Sequence, residues 1–177
     1  STILYADPTL DAAAAPVNRG AFCRNTTGAN VVRINLTGLT FDGGYWSFSG
    51  TNRYAVEFYA PGSRYVDVRV VFCNGFFGAM YVNGGLSLLE NIHCEGADGY
   101  GIVCATAMTF LNSYTGNHGI SGLLVTSLGD DTTFLTADFL WIGGIVDENT
   151  ALSTYITGTR VATFIGATLF SGVDKEA

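Results

Sequence analysis

The residues that could do chemistry are few. Two histidines, four cysteines and fifteen acidic residues stand beside only eight Lys and Arg in a chain of 177 residues. Two His cannot build a three-His zinc site, and neither has a carboxylate at metal-ligand spacing, so no metal and no cofactor is expected. Cys23, Cys73, Cys94 and Cys104 form no Cys-x-x-Cys pair, and Cys73, Cys94 and Cys104 read as core thiols. No Ser-His-Asp or Cys-His arrangement and no phosphate-binding Gly loop is legible. The acidic pairs Asp130-Asp131 and Asp147-Glu148 sit in turns, where such pairs are ordinarily hydrated rather than bound to Ca²⁺. What remains is glycan cleavage. It needs two carboxylates, about 5 Å apart for retention or about 6.5–9.5 Å for inversion. Asp42, Glu95 and Asp98 are the candidates, and their value depends on the elements that carry them.

Those elements are strands. Beyond about residue 30, Val, Ile, Thr, Phe and Tyr alternate with small or polar residues between Gly-containing turns. The only helix expected is Thr9–Ala15, stopped by Pro16. The strands repeat loosely. Segments ending at Phe41, Cys73, Cys94, Thr115, Trp141 and Leu169 superpose, with a shortest spacing of 21 residues. A second strand follows most of these anchors, at Val56–Phe58, Ala79–Val82, Ile102–Ala105, Leu123–Thr126 and Thr154–Ile156. Gly43 to Arg64 reads as a projecting loop. A helix-free unit of this length is too short for a propeller blade and lacks the leucine-rich signature, but it fits one coil of a parallel β-helix. Anchors and the positions two and five before them should then point inward. The position three before (Gly38, Val70, Asn91, Asn112, Asp138, Gly166) should mark a corner, where Asn91 and Asn112 would begin an internal amide ladder. Cys73 and Cys94 should stack on adjacent levels.

The fold class expected is therefore all-β: a single-stranded right-handed parallel β-helix of about six coils over residues 31–177, preceded by an N-terminal arm or cap over 1–30. The cadence of Leu88-Leu-Glu-Asn-Ile-His-Cys-Glu-Gly96 resembles the parallel β-helices of the pectate-lyase-like superfamily. That group includes bacteriophage tailspikes and other trimeric virion proteins. The resemblance is architectural and spans Val31 to about Val173. It implies a virion-surface location, assembly in a host cytoplasm, and contacts with other virion proteins through the arm.

Composition narrows the partners. The chain is 48% hydrophobic and 13% charged, against a usual charged share of about 25%. Disorder is excluded by the apolar content. The longest apolar stretch, Phe139–Val146, falls short of the roughly 20 residues of a membrane helix, so no membrane is expected. A net charge of −7 leaves no basic patch for nucleic acid. In the expected register, outward positions align Phe72, His93, Tyr114 and Leu140, with Leu111 and Ile165 in a second column. Such a strip ordinarily marks an interface. Three readings compete: self-association as a homotrimer, an aromatic platform for surface polysaccharide, or a strip covered by a loop. The first agrees best with the low charge, and the chain is expected to be a structural protein, not an enzyme. In the enzyme alternative Asp42 and Glu95 lie two levels, about 9.6 Å, apart as an inverting pair. A solvated stripe of turn-starting acids explains them better, since no nearby Arg is evident to perturb either carboxyl.

Overall fold

The computed structural model describes residues 2–5, 23–24, 33–43, 50–126, 139–147, 152–157 and 162–170. Among them no helix occurs, and the strands form three parallel sheets. In chain order, sheet A contains β1 (Thr2–Tyr5), β4 (Leu39–Asp42), β7 (Arg69–Val71), β10 (His93–Glu95), β13 (Tyr114–Gly116), β16 (Ile145–Asp147) and β19 (Thr168–Leu169). Sheet B contains β2 (Cys23–Arg24), β5 (Gly50–Phe58), β8 (Phe76–Val82), β11 (Tyr100–Cys104), β14 (Ser121–Thr126) and β17 (Leu152–Thr157). Sheet C contains β3 (Asn35–Thr37), β6 (Arg64–Val66), β9 (Ser87–Glu90), β12 (Met108–Leu111), β15 (Phe139–Ile142) and β18 (Ala162–Ile165). From β3 onward every third strand returns to the same sheet, an arrangement compatible with a parallel β-helix. Of the segment 1–30, β1 and β2 are described, each the first strand of its sheet. The expected helix Thr9–Ala15 lies outside the described residues.

The expected second strands coincide with parts of β5, β8, β11, β14 and β17, with Ala105 one residue beyond the end of β11. The projecting loop between Gly43 and Arg64 is corrected: it contains β5, nine residues long and paired to both β2 and β8.

Register decides which side chains meet. The anchor column of sheet A is Phe41, Val70, Cys94, Thr115, Val146 and Leu169. Four expected anchors hold. Cys73 and Trp141 do not: Val70 and Val146 take their places. Cys73 lies beyond β7 and does not stack on Cys94, although both are buried free thiols. Trp141 belongs to sheet C, in the inward column Leu36, Tyr65, Leu89, Phe110, Trp141 and Phe164. Phe110 and Trp141 stack there at 4.9 Å, and Phe58 of sheet B stacks on Tyr65 at 4.1 Å. The columns meet in one buried core that also holds Val56, Met80, Ile102 and Leu123.

The corner between sheets C and A is short, one residue between β3 and β4 and two at the other levels, and its first residue lies at positive φ. Gly38, Asp67, Asn91, Asn112, Gly143 and Gly166 occupy it with φ of 68°, 54°, 53°, 47°, 66° and 61°. All are types that tolerate the left-handed region. Five of them donate their N–H to the carbonyl of the next level, as Asn91 does to Leu111 and Asn112 to Ile142. The amide ladder is external, not internal: Asn91 and Asn112 are exposed, and Asn91 donates to Asp67 Oδ1 at 3.0 Å. Asn112→Val should lower stability by about 1–2 kcal/mol, the cost at positive φ of a side chain without the local hydrogen bonding that lets Asn sit there, while Asn112→Gly should change it little. Urea denaturation midpoints check this, and an unaffected Val variant would contradict the corner assignment.

Candidate functional site

Two outer walls carry the residues singled out from the sequence. On sheet A the outward column reads Thr40, Arg69, His93, Tyr114, Ile145 and Thr168. His93 and Tyr114 are neighbours, as expected, with rings stacked at 4.7 Å. Phe72 is not in this column: Arg69 stands beside His93 instead. Phe72 occupies the corner after β7 with φ 55°, a conformation unusual for a bulky residue. Leu140 is not in it either. It faces outward from sheet C, paired with Thr109, because the chain before it is five residues out of the expected register.

Sheet C gathers the aliphatic residues. Its outward column Thr37, Val66, Glu90, Leu111, Ile142 and Ile165 contains Leu111 and Ile165 as expected, with Ile142 between them. The adjacent column brings Leu88, Thr109 and Leu140 alongside. Leu111, Leu140 and Ile142 are half-buried, and Ile165 is 52% exposed. The N-terminal levels of the same wall are polar, with Arg64 paired to Glu90 at 2.8 Å.

The carboxylates form a column rather than a cluster. Asp42 pairs with Val71, and Cys94 with Val70, which sets Glu95 level with Val71 and two levels from Asp42. Beyond Glu95 the column continues through Gly116 to Asp147. Glu95 accepts a hydrogen bond from His93 Nε2 at 3.1 Å, and both side chains are about one-third exposed. Tyr114 folds its hydroxyl over Gly116, where a Cβ would meet it. Asp98 lies apart, exposed in the turn toward sheet B, its N–H donating to the Phe76 carbonyl at 3.1 Å. The structure thus brings together His93, Glu95 and Tyr114. Among the described residues no group of three or more His, Cys, Asp or Glu could hold a metal ion. Asp130, Asp131 and Glu148 lie outside the described residues.

Two features were missed from the sequence. His118 reads there as part of a turn, Gly116-Asn-His-Gly119, yet it is 2% exposed. The Ala97 N–H donates to its Nδ1 at 3.1 Å, so the ring proton sits on Nε2 and donates to Thr115 Oγ1 at 3.0 Å. Thr115 in turn donates to the Gly122 carbonyl at 3.0 Å. Burial lowers the His118 pKa to about 4, against a smaller opposing effect of the Cys94 backbone. The signal was Thr115 itself, a hydroxyl in an otherwise apolar inward column that had to find a partner. The second feature is an aromatic group around sheet B. Tyr54 lies 5.0 Å from Tyr81 and 5.8 Å from Phe77, and Phe77 lies 5.2 Å from Tyr100. Tyr59 donates to buried Glu57 Oε2 at 3.3 Å. Burial first, then Tyr81 and Glu57, push the Tyr54 hydroxyl above its ordinary range.

No protein-family model, curated protein or solved structure matches this chain.

The His118 relay has a pH signature. In the unfolded chain the ring takes a proton near pH 6.5, and in the folded chain only near pH 4. Its contribution is therefore complete above about pH 6.5 and is lost as pH falls toward 4, at about 1.4 kcal/mol per pH unit. His118→Gln should flatten the slope of unfolding free energy against pH in that window by this amount. Equal slopes for both chains would show that the ring is not held neutral.

Proposed function

We propose that this chain is a structural protein of a bacteriophage virion surface, a capsid decoration or a spike or fibre component. In this reading it folds as a right-handed parallel β-helix of about six coils, of the pectate-lyase-like kind, and assembles as a homotrimer. Residues 1–30 would reach other virion proteins. The observation that carries the reading is the apolar wall at the C-terminal levels of sheet C. Leu111, Ile142 and Ile165 are stacked there, Leu88 and Leu140 lie beside them, and the strip turns through the narrow Gly143 corner to Tyr114 and Ile145. Three such walls facing a common axis would remove this surface from water, the usual fate of an apolar patch of this kind. The interior offers support of another sort. Among its buried ionisable groups, His118 and the thiols of Cys73, Cys94 and Cys104 are shifted by burial toward their neutral forms. That suits a rigid scaffold.

The second reading is a glycan-binding or glycan-cleaving protein acting on bacterial surface polysaccharide. It is favoured by Asp42 and Glu95 standing two levels apart, about 9.6 Å at the spacing of parallel strands. Native mass measurement separates the two. The structural reading expects three chains per particle, and Leu111→Arg is expected to give single chains that still unfold cooperatively. A wild-type chain that is monomeric contradicts trimerisation. Release of reducing ends from capsular polysaccharide, abolished by Glu95→Gln, would establish the enzyme instead.

A further inference from the structure

The turn from sheet B to sheet C between β8 and β9 carries a residue ill-suited to its backbone. Leu86 takes φ of 59°, a left-handed conformation that a bulky side chain rarely adopts. One level toward the N-terminus the equivalent residue is Gly62, at φ 61°; it stands two before Arg64 as Leu86 stands two before Leu88, and Arg64 pairs with Leu88. The same conformation is thus met by glycine at one level and by leucine at the next. The backbone is fixed on both sides. The Gly62 N–H donates to the Gly85 carbonyl at 2.8 Å, and the Leu86 N–H donates to the Ala107 carbonyl at 2.7 Å. Burial does not offset the strain, because the Leu86 side chain is 83% exposed, more than any other large hydrophobic among the described residues. It borders a groove of about 240 Å³ lined by Ser87, Leu88, Ala107, Met108 and Thr109, none of them charged. Leu88 also belongs to the apolar wall of sheet C, in the column of Thr109 and Leu140. A strained, exposed apolar residue beside an apolar groove serves a contact better than it serves folding.

We propose that Leu86 anchors one copy of this chain to the next, its side chain seated in the groove that Leu88, Ala107 and Met108 line on the neighbour. The occupant is a second copy because one surface carries both halves of the contact, an uncharged groove and an exposed uncharged side chain at its rim, and because that surface is continuous through Leu88 with the sheet C wall. A projection that borders its own receptacle reaches the neighbour's only where the two surfaces meet close to the symmetry axis. The axis therefore runs past the turn between β8 and β9. This inference rests on the lateral assembly proposed above and adds to it the anchoring residue and the place of the axis.

Leu86→Asn tests it through two readouts, because Asn accepts the left-handed region that Leu resists. In single chains, obtained by dilution or with Leu111→Arg, the substitution should raise the urea midpoint of unfolding. In the otherwise wild-type chain it should weaken association, followed by native mass measurement against concentration, by about tenfold or more. A residue held for a contact moves the two readouts in opposite directions. Association lost with Leu111→Arg but unchanged by Leu86→Asn overturns the anchor and leaves the lateral assembly standing. A lowered midpoint in single chains also overturns it, since Leu86 would then be packing for its own fold. A wild-type chain that is monomeric at every concentration defeats both. A dimer that Leu86→Asn breaks supports the anchor and defeats the trimer.

Discussion

Parallel pairing imposes the constraint on which the rest of this molecule depends. A strand can lie beside its predecessor in the same sheet only after the chain has travelled through the other two, and each corner must turn at the same height as the corner below. Between sheets C and A the turn begins on a residue at positive φ at each of six levels, from Gly38 to Gly166. An ordinary side chain costs about 1–2 kcal/mol there, and Asn and Asp escape much of it through local hydrogen bonds of their short polar groups, which explains why Gly, Asp and Asn fill every level. The corner N–H groups still reach the next level's carbonyls, so the hydrogen-bond ladder runs round the bend without a gap. Inward columns and outer walls inherit their heights from this row.

Strand positions and the corner chemistry were legible in the sequence, and four of six levels were in the right register. The other two show what misled. A glycine two residues after the anchor served as the ruler, as in Phe41-Asp-Gly43 and Cys94-Glu-Gly96. At Cys73-Asn-Gly75 the glycine belongs to a separate turn, closed by the Phe76 N–H on the Cys73 carbonyl at 3.0 Å. At Trp141-Ile-Gly143 it belongs to the C-to-A corner, at φ 66°. Gly has several uses in a fold of this kind, so its position alone is ambiguous. Apolar alternation did not expose the slip, since Val66 to Phe72 is apolar at most positions. The row of left-handed residues was the better ruler: Asp67 and Gly143 are the types it requires.

Side-chain partners were less legible than backbone. The turn signature at Gly116–Gly119 described the path of the chain correctly but not the fate of the imidazole. His118 turns inward because Thr115 occupies a core column and needs an acceptor and a donor, and because the Ala97 N–H needs an acceptor. One neutral ring meets the two needs that the Gly122 carbonyl leaves, through a chain of hydrogen bonds that all run in one direction. Such a relay joins residues 97, 115, 118 and 122 across two levels, and no local pattern encodes it.

The outer walls answer to different rules from the core. On sheet C the outward side chains stand apart from the inward columns, Leu111, Leu140 and Ile142 half-buried and Ile165 exposed. At its N-terminal levels the wall has Arg64 on Glu90, an exposed pair of the kind worth about 0–1 kcal/mol. At its C-terminal levels it has Leu111, Ile142 and Ile165 instead. Apolar area left in water forgoes about 25 cal/mol per Å² relative to area that is covered. Polar residues would serve folding as well at those positions and solubility better. The wall thus changes character halfway along, while the corner row and the inward columns continue beneath it.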